Sequence, residues 1–221
     1  MTRSFRALAL SCSVGVMACA AEPVAVPGVD ASTGAGSDAQ VGDGGVDAAR
    51  TMGTDASGLD ASATAPMCPP EAPFGRAVGE TMGDLVLLDC DGVERSLHSL
   101  CDRQAVWLFE YADWCPPCRS FASSSANRID ARFAGPGFAS WMIVSEDDGF
   151  GPPDAETCRA IRERYGITMP VLFDPEGRLQ SLLGVAPNEV HVVLTEGARI
   201  DWIGHYAGSE VESRIESALA R

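Results

Sequence analysis

The reading of this chain turns on Ala105-Val106-Trp107-Leu108-Phe109-Glu110-Tyr111-Ala112-Asp113-Trp114-Cys115-Pro116-Pro117-Cys118-Arg119. Its first part is short, apolar and rich in bulky and β-branched residues, which predicts a buried strand. Two prolines then stop the strand, and a helix can follow only if they fall in its first turn, where missing N–H groups do no harm. Residues before a proline avoid the α region, so Cys115 and Pro116 are expected just outside the helix, with Pro117 opening it. Cys115 then sits at the positive end of a helix, and Cys118 lies within the first turn. At that separation two cysteines can bridge without strain. Free N–H groups and the helix dipole would stabilise a thiolate at Cys115 and lower its pKa. A thiolate with a second thiol one turn away is a reversible two-electron couple: Cys115 attacks a disulfide, and Cys118 resolves the mixed disulfide. The chemistry expected is thiol–disulfide exchange, with no cofactor, because side chains supply the whole couple.

Cys-x-x-Cys also fits half of a zinc site. Zinc needs two further ligands, and the sequence has no second close-spaced Cys/His pair. An inert structural disulfide is the other bland reading.

Phe109-Glu110-Tyr111-Ala112-Asp113-Trp114-Cys115-Pro116-Pro117-Cys118 resembles the aromatic-Ala-x-Trp-Cys-x-x-Cys signature of thioredoxin-fold proteins. The Pro-Pro pair is most similar to the extracytoplasmic TlpA/ResA branch of the redoxin (AhpC/TSA-like) superfamily. The resemblance covers about Phe74 to the C-terminus. It implies an α/β fold, a thioredoxin-like mixed sheet flanked by helices with an N-terminal β-hairpin extension. It also implies protein disulfide or dithiol substrates and a membrane thiol partner that supplies or accepts electrons. A peroxiredoxin reading is weaker, because no Thr-x-x-Cys pattern stands at this strand end.

The chain has 221 residues, a formal net charge of −15 and eight cysteines. Such acidity argues against nucleic acid or an anionic membrane surface as a partner. Cysteines without metal-ligand spacing point to an oxidising compartment. The N-terminus agrees: Arg3 and Arg6 precede an apolar run, Ala7 to Ala18, that is too short to span a bilayer. It ends in Val16-Met17-Ala18-Cys19, which resembles a bacterial lipobox and implies lipid on Cys19 after cleavage. The plain alternative is an ordinary signal peptide cut near Ala18 or Ala21. Residues 1–19 are therefore read as a lipoprotein-type signal ending at its cysteine, and the protein is placed on the periplasmic side of the cell envelope. Ala20 and Ala21 lack the aspartate that favours inner-membrane retention in the resembling lipoproteins, which leans towards the outer membrane. Residues 20–66 are Ala, Gly, Ser, Thr and Asp with almost no large apolar side chain, and read as a disordered acidic linker. Residues 67–221 are read as the folded domain.

Within that domain Leu85 to Asp89 is strand-like, Asp91-Gly92 marks a hairpin turn, and Ser96 to Leu100 reads as a short helical turn. Gly137 to Val144 predicts a second buried strand, and Pro153 to Tyr165 a helix closed by Gly166. Val171 to Phe173 is a third core strand, and Leu179 to Leu183 one helical turn. Val190 to Leu194 and Arg199 to Ile203 form a hairpin. In Ser209 to Arg221, Ser209 and Glu212 predict a capping box on a terminal helix.

The resemblance also implies a cis-proline facing the cysteines. Pro187, after Gly184-Val185-Ala186 and before a strand, fits the family order best, and Pro170 is the runner-up. With Trp114, Pro116 and Pro117, Pro187 would line the substrate groove, and Tyr111 would help to frame the sulfur. Four further cysteines, Cys68, Cys90, Cys101 and Cys158, permit three pairings. Cys90 and Cys101 flank the hairpin and turn, so that bridge is favoured, leaving Cys68 with Cys158. Thioredoxins keep a buried acid where this chain has Phe109, and many TlpA/ResA members carry a glutamate where it has Ser120 and Phe121. Glu110 is the candidate substitute proton acceptor, or else an exposed strand-end acid. His191 reads as a core histidine. It also keeps open a copper-binding alternative with Cys115 and Cys118, although the SCO-like copper carriers space their cysteines one residue wider.

Overall fold

A computed structural model describes residues 67–221. The signal segment, Cys19 and the acidic linker lie outside the described residues. Seven strands form one sheet in the order β2-β1-β5-β4-β3-β6-β7. The chain lays down β1 (Val86–Asp89) and β2 (Glu94–Ser96), then β3 (Ala105–Ala112), which leads into α1 (Pro116–Phe121) and α2 (Asn127–Phe133). β4 (Phe138–Glu146), α3 (Ala155–Tyr165), β5 (Val171–Phe173) and α4 (Arg178–Leu183) follow, then β6 (Val190–Thr195), β7 (Arg199–His205) and α5 (Val211–Leu219).

All eight residues of β3 are buried, which is why the segment reads as a continuous apolar run and not as an alternation. It pairs in parallel with β4 and antiparallel with β6. Its side chains alternate between two apolar layers. Trp107, Phe109 and Tyr111 pack with Phe121, Ile129, Ile161, Val211 and Ile215, from α1, α2, α3 and α5. Val106 and Leu108 face the other way, with Leu85, Leu97, Leu179, Leu183 and Val192. The expected mixed sheet with helices on both faces is therefore present. The β1–β2 hairpin is part of the same sheet, because β1 pairs antiparallel with β5.

α3 ends at Gly166 (φ 58°) as expected but begins at Ala155, two residues later than Pro153, because Asp154 caps it by accepting from Thr157 N–H at 2.8 Å. The terminal helix differs. Glu210, not Ser209, precedes α5, with no side-chain cap, because Glu212 is engaged by Arg128 and Arg132 across the helix pair.

The disulfides differ too. Cys68 pairs with Cys101 (Cα–Cα 5.5 Å) and Cys90 with Cys158 (5.2 Å). Closeness in sequence misleads here because β2 and the 3-10 turn at Leu97–Leu100 carry the chain across the sheet edge. Cys90 stays beside β5, its N–H donating to Val171 O at 3.2 Å, and joins the layer that contains Cys158. Cys101 instead reaches the β6–β7 turn, where its carbonyl accepts from Gly197 N–H at 2.8 Å. Both peptide bonds expected to compete for the cis form, at Pro170 and Pro187, are trans, and the cis bonds among the described residues precede Pro69 and Pro73. Trans is the ordinary preference even before proline.

Candidate active site

β3 delivers Ala112 to the edge of the core, and Asp113 and Trp114 turn the chain into α1. Cys115 is the N-cap, with extended backbone (φ −85°, ψ 110°). The helix begins at Pro116, one residue earlier than expected, since both of the first two positions tolerate a residue without N–H. Prolines there leave the Cys118 N–H as the group facing the Cys115 sulfur, at 3.3 Å. Cys115 and Cys118 are joined as a disulfide, with Cα atoms 5.3 Å apart, and both are buried. The same N–H and the helix start would face a Cys115 thiolate on reduction.

After Phe121 the helix widens into a π turn, Ala122–Ala126, before α2. The Ser123 and Ser124 hydroxyls both donate to the Ser120 carbonyl, at 2.9 and 2.7 Å. Side chains that compete for a backbone acceptor loosen the regular ladder, and such turns concentrate near functional sites.

The approach to Cys115 is pinned by Asp113, a buried carboxylate that the sequence did not single out. It accepts from Tyr111 Oη at 2.6 Å and from Arg164 Nη1 at 2.7 and 3.0 Å, and Arg119 lies 3.5 Å away. Burial first, then these bonds, push the Tyr111 hydroxyl well above the usual tyrosine range. Tyr111 is thus a core residue that fixes the turn and does not touch the solvent side of the sulfur. Trp114 donates its indole N–H to Glu146 and stacks on Phe150, with centroids 4.9 Å apart and planes 26° apart.

Beside this pair runs a cleft of about 420 Å³, lined by Ser145, Glu146, Phe150, Pro152, Gln180 and Pro187 among others. Pro187 therefore lies in a wall of the groove next to Trp114, whereas Pro170 is exposed at the start of β5. A larger opening, about 970 Å³, lies at the other end of the sheet, between the N-terminal segment and the β6–β7 turn. It has no part in the cysteine chemistry.

Glu110 is fully buried, not exposed at a strand end. It belongs to the layer opposite α1, so Phe109 and Tyr111 separate it from the cysteines. Gln180 donates to its Oε1, and Oε2 has no partner. Burial above all, with the Asp174 and Glu146 carboxylates adding to it, pushes its pKa up to about 8. His191 is also fully buried, its Nε2 3.1 Å from Glu189 Oε1 and its ring stacked 5.0 Å from Phe109. Burial holds its pKa below the ordinary value. Among the described residues no three His, Cys, Asp or Glu side chains converge on a point that would hold a metal ion. The Cys115, Cys118 and His191 set is therefore not assembled: aromatic rings enclose the imidazole, and its Nε2 faces Glu189.

Glu110 gives the fold a pH signature. In the folded protein it keeps its proton up to about pH 8, while an unfolded chain releases it near the ordinary value of 4.5. The folded state holds the extra proton in between, so stability falls as pH rises through that window, by up to about 1.4 kcal/mol per unit. His191 acts in the opposite sense only below its ordinary value of 6.5. Urea unfolding at pH 6.5 and 8 should show a decline in the wild type that Glu110→Gln removes. Parallel slopes for the two proteins would mean that the carboxylate is already ionised in the fold.

Residues 78–202 match the AhpC/TSA family. Thiol-disulfide oxidoreductase ResA of Geobacillus thermodenitrificans (strain NG80-2) is 25% identical over 145 residues, which span 64% of this chain and 78% of that protein. A secreted thiol-disulfide isomerase from Corynebacterium glutamicum superposes with a TM-score of 0.54 at 18% identity, covering 63% of this chain and 86% of the other. A protein from Chlorobium tepidum, provisionally assigned as thiol:disulfide interchange protein DsbE, gives 0.55 at 20% identity, covering 65% and 98%. These two likenesses speak for the fold. With more than half of its length matched, the chain belongs to the AhpC/TSA family, on a thioredoxin-like sheet.

Proposed function

We propose that this thiol–disulfide oxidoreductase works outside the cytoplasm, exchanging electrons with disulfides of other proteins through Cys115 and Cys118. The observation that carries the reading is the Cys115 sulfur at the start of α1, facing the Cys118 N–H at 3.3 Å. In the reducing direction the Cys115 thiolate attacks one sulfur of a client disulfide, and the client's second sulfur leaves as a thiolate and takes up a proton. The Cys118 thiol loses its proton and attacks Cys115 Sγ in the mixed disulfide. That step closes the Cys115–Cys118 bond and frees the client as a dithiol. Two electrons have moved to the client. The oxidising direction is the same sequence reversed, starting from the bridged pair. Trp114, Pro116, Pro117 and Pro187 shape the groove in which the client backbone lies, and Glu110 is the candidate proton store behind β3.

Three disulfides among the described residues support an oxidising compartment, and the Corynebacterium structure is named as secreted. The basic and apolar start of the chain supports export, and Cys19 supports a lipid anchor on the envelope. A membrane dithiol protein would then reset the couple. The test of the chemistry is alkylation of the reduced protein across a pH series, beside an insulin-disulfide assay. Cys115 should react with a midpoint below the ordinary cysteine value of about 8.5. A midpoint at that value, with no turnover of insulin, removes the reading. For the anchor, Cys19→Ser should shift the protein from the membrane to the soluble fraction of cells.

A further inference from the structure

Among the described residues, three that are not glycine have positive φ: Phe150 (63°), Ala198 (53°) and Tyr206 (50°). Ala198 is a buried member of the β6–β7 turn. The other two are aromatic and exposed, at 67% and 54%. Bulky side chains are sterically disfavoured in the left-handed region, so local bonds must hold them there. At Phe150 the Asp147 carboxylate accepts from Gly149 and Gly151 N–H at 2.8 and 2.7 Å, and Asp147 N–H donates to Gly151 O at 2.9 Å. At Tyr206 the backbone N–H donates to Glu189 O at 3.0 Å. Core packing requires neither ring, since both stand in solvent.

Their place in the fold gives them a use. Phe150 follows β4 and Tyr206 follows β7, on opposite sides of β3 in the sheet order. Both therefore stand at the end of the sheet where β3 presents Cys115. Phe150 extends the Trp114 surface and lines the 420 Å³ cleft together with Pro187 and Gln180. The charges beside Phe150 are acidic, Glu146 and Asp148, whereas Glu210 after Tyr206 is paired with Arg214 at 3.2 Å. The nearby Arg119 and Arg164 are both held by Asp113.

We propose that Phe150 and Tyr206 are the two jaws of a client-binding rim. They select an extended polypeptide whose cysteine is flanked by bulky apolar residues and accompanied by Lys or Arg. The apolar neighbours pack against the two rings, and the cation meets the carboxylates beside Phe150. This inference rests on the oxidoreductase reading given above.

The test uses glycine replacements, because glycine adopts positive φ without strain and the fold should survive. The reduced full chain, recycled by dithiothreitol, is assayed on three substrates. These are the disulfide dimers of acetyl-Lys-Phe-Cys-Phe-amide and acetyl-Glu-Ala-Cys-Ala-amide, and glutathione disulfide. The wild type should prefer the first peptide over the second by about tenfold or more in kcat/KM, the worth of one or two aromatic contacts with a matched charge. In the Phe150→Gly/Tyr206→Gly double variant that ratio should collapse to about twofold, in line with the loss of those contacts. Val93→Ser, which alters an exposed apolar residue on the distant β1–β2 turn, should keep the wild-type ratio. An equal preference in the wild type, or a ratio that survives the double substitution, overturns the rim. Failure of the wild type to exchange with any of the three substrates overturns the oxidoreductase reading itself, and the rim with it.

Discussion

Cys115→Ser should abolish turnover of disulfide substrates, by about 10³-fold or more, which corresponds to roughly 4 kcal/mol of lost barrier reduction. A serine hydroxyl is not ionised at neutral pH even where an N–H group and a helix start face it. Cys118→Ser should behave differently. Its attack on the client remains, because the Cys115 sulfur still meets the backbone N–H of residue 118, which does not depend on the side chain. Resolution is lost, so a covalent adduct with the client should accumulate. Non-reducing gels with a disulfide-bonded client will separate the two variants. An adduct in the Cys115→Ser protein and none in the Cys118→Ser protein would exchange the roles assigned to the two cysteines.

Removing the Cys90–Cys158 bridge by a double alanine substitution should cost about 4 kcal/mol. The bond spans 68 residues of sequence, and the chain-entropy account makes long loops the most stabilising. For a domain of this size that is a fall in Tm of about 8–16 °C. The bridge ties β1 to α3 across β5 and lies away from Cys115, so exchange activity at 25 °C should persist. The Cys68–Cys101 bond closes a span of only 33 residues, and its loss should lower Tm somewhat less. Thermal unfolding of both double variants beside the wild type checks the order. A drop of only 1–2 °C on losing Cys90–Cys158 would mean that β1 and α3 are already held by packing alone.

The redox centre was legible because it is local. Cys115, its two prolines and Cys118 fix their own geometry within one helical turn, and the strand before them is marked by its unbroken apolar run. The end of α3 at Gly166 was equally readable, whereas its start was not, because the Asp154 cap was not singled out. What escaped depends on which segments meet in space. Asp113 looks like an ordinary loop acid until Tyr111, Arg119 and Arg164 close around it. Glu110 stayed open between a proton acceptor and an exposed strand-end acid, because nothing in the sequence says that α4 brings Gln180 over it. The cysteine pairing failed for the same reason: Cys90 and Cys101 are neighbours along the chain, but β2 and the following turn separate them. Phe150 and Tyr206 carry no sequence signal, since a positive φ at an aromatic residue is imposed by loop bonds that only the fold supplies.

The Cys68–Cys101 bond fixes the point at which the polypeptide enters the domain. Cys101 is bonded to the β6–β7 turn, and the strands run from there to the opposite tip, where Cys115 stands. The described chain therefore begins at the pole remote from the reactive sulfur. That bond staples one pole of the sheet and leaves the other, where Cys115 stands, to the exchange of its own bridge, so the structural and the reactive sulfurs are kept apart by the length of the strands.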